Sequence, residues 1–130
     1  TQFEEEFAVY CRAKYCVGVG NGTDAIYIAL RALGIGLGDE VITVANSFIA
    51  TSEAITMTGA RVIFVDCDPQ TYNIDCKKIT AAITPRTKAI VPVHLFGQPA
   101  DMAAVAALSF SLHLFSISKL EYSISERRFA

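Results

Sequence analysis

At 130 residues, with 52% hydrophobic and 18% charged side chains, the chain has enough apolar material to close one domain around a core and too much for a disordered tail. Its formal net charge of −2 excludes the basic footprint that binding to DNA, RNA or an acidic membrane surface requires. Four cysteines, Cys11, Cys16, Cys67 and Cys76, form no C-x-x-C pair and are too sparse for a disulfide scaffold, which predicts reduced thiols and a cytoplasmic location.

No segment reaches the roughly 18 uninterrupted apolar residues of a membrane helix, and the opening "TQFEEEF" is acidic where a signal peptide is basic. No membrane partner is expected. Along the chain the hydrophobic period switches repeatedly between helical and extended, the mark of an α/β architecture. "FEEEFAVYCRAK" sets Phe3, Phe7, Tyr10 and Cys11 on one helical stripe, with Glu4, Glu5 and Glu6 near the positive end of the helix dipole. "YCVGVG" reads as a short strand. "TDAIYIALRALG" reads as a helix with Ala25, Ile28, Ala29 and Ala32 inward and Gly34 as its stop.

"EVITVA" is nearly all apolar, as a strand buried on both faces should be, and "SFIATSEAITMTG" restores the helical period before Gly59. "ARVIFVDCD" is a further strand. Asp66 and Asp68 at its end are read as turn formers ahead of Pro69, and Tyr72 and Asn73 as structural. "NIDCKKITAAI" is a short helix with Asp75 as N-cap, and "KAIVPVHLFG" a buried strand in which Pro92 is out of place. His94 and His113, each without a second candidate ligand, receive no metal or catalytic role, and His94 is expected to be bonded locally. All 8 Gly and all 4 Pro precede residue 100. Composition therefore divides the chain into 1–102 and an atypical tail, 103–130, that reads poorly as another strand-helix unit.

The chemically suggestive point is "VGVGNGTDA". A strand entering a Gly-rich turn and then a helix directs unpaired backbone N–H groups and a positive dipole end at one place, which suits a phosphate. Gly20 and Gly22 allow close approach, and the Thr23 hydroxyl either caps the helix or donates to a phosphate oxygen. A plain tight turn explains the same residues, so on them alone the choice stays open. "GVGNGT" is neither G-x-G-x-x-G nor a P-loop.

Taken in order, "FEEEFAVYCRAKYCVGVGNGTDAIYIALRALGIGLGDEVITVANSFIATSEAI", "GARVIFVDCDPQTYNID" and "ITPRTKAIVPVHLFGQPADM" resemble the first part of the DegT/DnrJ-type sugar aminotransferases, over about residues 3–102. The resemblance implies a three-layer α/β/α fold with a mostly parallel sheet, part of the large domain of a fold-type I transferase dependent on pyridoxal 5′-phosphate. It implies that Gly22, Thr23 and Asp24 hold the cofactor phosphate and that Phe48 of "NSFIAT" stacks on the pyridine ring. It further implies a nucleotide-linked keto sugar as substrate, an amino-acid donor such as glutamate, and a homodimer for the full-length protein.

The chemistry also needs a carboxylate against the pyridine nitrogen and a lysine for the Schiff base. In the family both lie beyond "GQPADM", the carboxylate in a "VIEDAAQ"-like strand that this sequence lacks. Lys119, in "LFSISKLEYS", is the lysine candidate, at a spacing that departs from the family's. Two other readings remain: a catalytically inactive remnant, or a nucleotide-binding α/β module in which Asp39 or Glu40, about 20 residues past the glycines, would hold a ribose.

Overall fold

A computed structural model of the chain describes residues 1–116. Helix α1 (Gln2–Tyr10) precedes an extended stretch, α2 (Gly22–Ala32), strand β1 (Glu40–Val44), α3 (Ile49–Met57), β2 (Arg61–Val65), α4 (Cys76–Ala82), β3 (Thr87–Val91), a single 3-10 turn at Leu95–Gly97, α5 (Met102–Ser111) and β4 (Phe115–Ser116). The strands form one sheet of order β2-β1-β3-β4, and all three pairings are parallel.

Strand β1 is buried along its whole length and separates two cores by simple alternation. Ile42 and Val44, with Ile90 of β3, meet Ile79 of α4 and Val105 of α5 on one face. Val41, with Ala89 and Val91 of β3, meets Ile26 and Leu30 of α2 and Ala54 and Ile55 of α3 on the other. This is the expected three-layer α/β/α arrangement. The neutral hydroxyl of Thr43, fully buried, donates to the Val91 carbonyl at 2.8 Å, so the inner face carries no unpaired polar group there.

The other buried polar side chain of β1 is charged. Glu40 is 1% exposed and is held from the turn before β3: Thr84 Oγ1 donates to Oε2 at 2.5 Å, and Arg86 donates to Oε1 through Nε at 3.0 Å and a terminal nitrogen at 2.7 Å. The Thr84 and Arg86 bonds hold the Glu40 carboxyl below its ordinary value. Glu40 is thus a structural anion at the amino edge of the sheet, and this occupation removes it from the ribose-holding role considered above.

Several sequence expectations give way to tertiary context. "YCVGVG" forms no strand: residues 15–19 take no regular secondary structure, the Gly18 N–H donates to Glu4 at 2.7 Å, and they pair with none of the four described strands. The inward face of α2 is Ala25, Ile26 and Leu30, whereas Ile28 is 47% exposed; apolar residues surround this helix, so its period left the face open and the larger Ile26 and Leu30 fill the core. The strand expected over "KAIVPVHLFG" ends at Val91, directly before Pro92, which has no N–H for a ladder. The aromatic stripe of α1 exists, with Phe3 and Phe7 ring centroids 5.7 Å apart and Phe7 and Tyr10 6.1 Å apart, but it stays exposed and Ala8 alone of the helix is buried. Past residue 102 the alternation continues, because α5 opens on the Asp101 cap and β4 pairs with β3. Lys119 lies outside the described residues.

Candidate functional site

The helix α2 begins where the sequence places it, but a different residue caps it. Asn21, extended at φ −164 and ψ 177, accepts the Asp24 N–H on its side-chain oxygen at 2.9 Å and donates its side-chain NH₂ to the Asp24 carboxylate at 3.0 Å. That arrangement replaces the expected Thr23 cap and leaves the Thr23 hydroxyl available for a ligand. It also engages the Asp24 amide. The amides of Gly22 and Thr23 have no partner among the described residues, so two backbone N–H groups and one hydroxyl are left available at the start of α2.

Space at this turn is distributed in the same sense. A side-chain carbon built on Gly22 meets nothing within 4 Å, so the turn is open on that side of the residue. One built on Gly20 would sit 2.8 Å from the Asp24 carboxylate, so a larger residue there would push that side chain aside and disturb its bond from Asn21.

Phe48 follows β1 at the carboxyl edge of the sheet and directly precedes α3, with 70% of its surface exposed. It borders a cleft of about 130 Å³ closed by Ala45, Ser47 and Thr51 and, from β2, by Phe64. The Ser47 and Thr51 hydroxyls are 2.9 Å apart and fasten the loop to the first turn of α3. The ring thus stands on a fastened loop at the edge where open parallel sheets bind ligands, outside both core clusters.

The remaining loops of this edge are tied to one another by asparagines that sequence reasoning did not single out for such work. Asn46 donates to the Tyr72 carbonyl at 3.0 Å, joining the loop after β1 to the loop after β2. Asn73, 4% exposed, donates to the carbonyls of Gln98 at 3.2 Å and Pro99 at 3.1 Å and accepts the Leu95 N–H at 3.2 Å, joining the loop after β2 to the loop after β3. His94 is bonded locally as expected, its Nδ1 accepting the Ala100 N–H at 2.9 Å. Asp68 closes its turn by accepting from the amides of Gln70 and Thr71, each at 2.9 Å, and these bonds lower its carboxyl pKa. Asp66 bonds Lys78 at 3.1 Å, and that contact lowers the acid and raises the amine.

With this geometry in place, the relatives of the chain can be compared. The model of the DegT/DnrJ/EryC1/StrS aminotransferase family matches residues 1–118. The chain belongs to that family. A pleiotropic regulatory protein of Geobacillus stearothermophilus is 56% identical over 83% of the chain and 29% of its own length. The UDP-2-acetamido-2-deoxy-3-oxo-D-glucuronate aminotransferase of Pseudomonas aeruginosa is 50% identical over 84% of the chain and 30% of its own length. Among solved structures, NtdA of Bacillus subtilis with bound cofactor PMP superposes with a TM-score of 0.89 at 46% identity, covering 91% of the chain and 27% of NtdA. The chain thus spans about 30% of the length of the curated relatives it matches. The family match runs through α5 and β4, past residue 102.

Proposed function

We propose that this chain forms the phosphate-and-ring cradle of a pyridoxal 5′-phosphate-dependent aminotransferase that acts on a nucleotide-linked keto sugar, with glutamate as amino donor. The observation that carries the reading is the pair of unpartnered amides at Gly22 and Thr23, opening a helix of 11 residues with no side chain in front of Gly22. The residues fit the group. Two N–H donors, a hydroxyl and the positive end of α2 match a phosphate dianion, and the exposed Phe48 ring offers an apolar face for a pyridine.

When bound, pyridoxal phosphate supplies the electron-accepting ring and the carbon that carries an amino group between donor and acceptor. The chain's own part is to bind and orient. The Thr23 hydroxyl donates to a phosphate oxygen. Asn21 holds the Asp24 carboxylate to itself, which keeps that negative charge on the helix side of the turn. Phe48 fixes the ring plane and excludes water from one of its faces. Lys119 is the chain's candidate for the covalent anchor, and a homodimer in the cytoplasm is the expected working form of the full-length protein.

Calorimetric titration of the chain with pyridoxamine 5′-phosphate and with pyridoxamine tests the cradle. The phosphorylated compound should bind and the dephosphorylated one should bind at least tenfold more weakly, as loss of a charge-assisted contact of about 1.5 kcal/mol or more requires. Equal affinity for the two would remove the phosphate role of Gly22 and Thr23.

A further inference from the structure

Each of three consecutive loops at the carboxyl edge carries one exposed aromatic ring: Phe48 after β1, Tyr72 after β2 and Phe96 after β3. Phe48 is assigned to the cofactor ring. Phe96 is the most exposed of the three at 97% and is held at φ 52 and ψ 27, and Tyr72, 58% exposed, shares a positive φ of 57. A bulky side chain adopts that left-handed backbone only where its surroundings over-determine it.

The constraint can be traced bond by bond. Asn73, buried beneath the loop, engages Leu95 on one side of Phe96 and Gln98 and Pro99 on the other. The Gly97 N–H donates to the His94 carbonyl at 3.2 Å and the Gln98 N–H to the Leu95 carbonyl at 3.0 Å, closing the turn around the ring-bearing residue. A buried polar network thus fixes the backbone so that an apolar ring stands in solvent. Phe96 packs no core: it belongs to neither apolar cluster and to none of the aromatic pairs found among the described residues.

We propose that Phe96 is the stacking platform for the base of a nucleoside diphosphate, the nucleotide part of the substrate. This rests on the reading that the substrate is a nucleotide-linked sugar. Strands β1 and β3 are neighbours, so Phe48 and Phe96 stand on adjacent loops of one edge, the first assigned to the cofactor ring and the second to the base. A phenyl ring has no hydrogen-bonding group and selects a π-face rather than a particular base, and Asn73 gives the platform the rigidity that makes stacking effective.

Uridine 5′-diphosphate, inorganic pyrophosphate and pyridoxamine 5′-phosphate titrated separately into the 130-residue chain test this. Phe96→Ala should weaken binding of the uridine compound about 5- to 150-fold, the range of one base-aromatic stack, and leave pyrophosphate and pyridoxamine phosphate unchanged, whereas Phe96→Trp should retain wild-type affinity. Circular dichroism melting establishes that both variants remain folded. The proposal is overturned if the uridine compound fails to bind the wild-type chain, if it binds no better than pyrophosphate, or if Phe96→Ala leaves its affinity unaltered. Loss of self-association in Phe96→Ala with nucleotide affinity unchanged overturns it too, and assigns the ring to a contact between copies. Pyridoxamine phosphate binding in the wild type reports the cofactor cradle separately, so failure of the cradle and failure of the platform give different patterns.

Discussion

Replacing Gly22 with proline removes one proposed phosphate donor while sparing the helix it belongs to. Gly22 is the first residue of α2, the position at which proline is best tolerated because its missing N–H bonds nothing within the helix. The residue before a proline must be extended, and Asn21 already is, at φ −164 and ψ 177. No atom lies within 4 Å of a side-chain carbon at this site, so the ring finds room. Proline in place of glycine also narrows the unfolded ensemble, so the variant should be as stable as the parent or more stable by about 0.4–1 kcal/mol. One amide-to-phosphate bond is worth about 1.5–3 kcal/mol, which predicts affinity for pyridoxamine 5′-phosphate lower by roughly 10- to 150-fold. Calorimetric titration gives the affinity and urea unfolding the stability. Gly22→Ala, which keeps the N–H, separates loss of the donor from obstruction by a side chain. A proline variant that folds and binds like the parent would show that this amide does not face the ligand.

Truncating Asn73 to alanine removes three bonds worth about 0.5–1.5 kcal/mol each, so unfolding free energy should fall by roughly 1.5–4.5 kcal/mol, with faster amide exchange at Leu95 as the local sign. Phe96→Gly relieves a left-handed backbone and should raise stability by about 1 kcal/mol in urea unfolding while lowering affinity for uridine 5′-diphosphate. Glu40→Gln should destabilise the fold at neutral pH. Because the Glu40 carboxyl is depressed by Thr84 and Arg86, its contribution is complete above the ordinary value of 4.5 and is lost as pH falls through the lower folded value, so the parent and variant unfolding curves should converge in acid.

The fold was largely legible because its signals were redundant. β1 is buried at every position, with three of its five residues apolar, and Gly34 and Gly59 stand at positive φ where the helices before them end. Asp75 caps α4 as its position suggests, accepting the Lys77 N–H at 2.9 Å. Where the signal was single, it misled. "YCVGVG" has strand composition, but a strand is a pairing, and composition cannot supply the neighbour. The change of composition near residue 103 suggested a change of architecture, yet Val105 enters the same core as Ile79, because a helix needs only one apolar stripe and α5 has apolar residues in excess.

The candidate site shows the same division for a different reason. The turn and the start of α2 could be read directly, since a local run of backbone amides is encoded by a local run of residues. What the sequence could not show is how those amides are shared out. Asn21 and Thr23 both suit a cap, and only the geometry reveals that Asn21 takes the role and frees Thr23 for a ligand. Asn46 and Asn73 work across 26 and 22 to 26 residues of chain, reaching loops that pattern reasoning treats as separate turns. Phe96 gives no warning in the sequence, because "HLFG" is compatible with a strand end. Its significance arises from the conflict between a bulky side chain and a left-handed backbone, and that conflict persists only because a buried amide beneath it holds both flanks. The free amides at the start of α2 follow from adjacency in the chain, whereas the placement of Phe96 follows from bonds between distant loops. Substitutions at Asn73 and at Gly22 should therefore fail in different ways: the first by loosening a platform while the phosphate contact survives, the second by losing that contact on an intact platform.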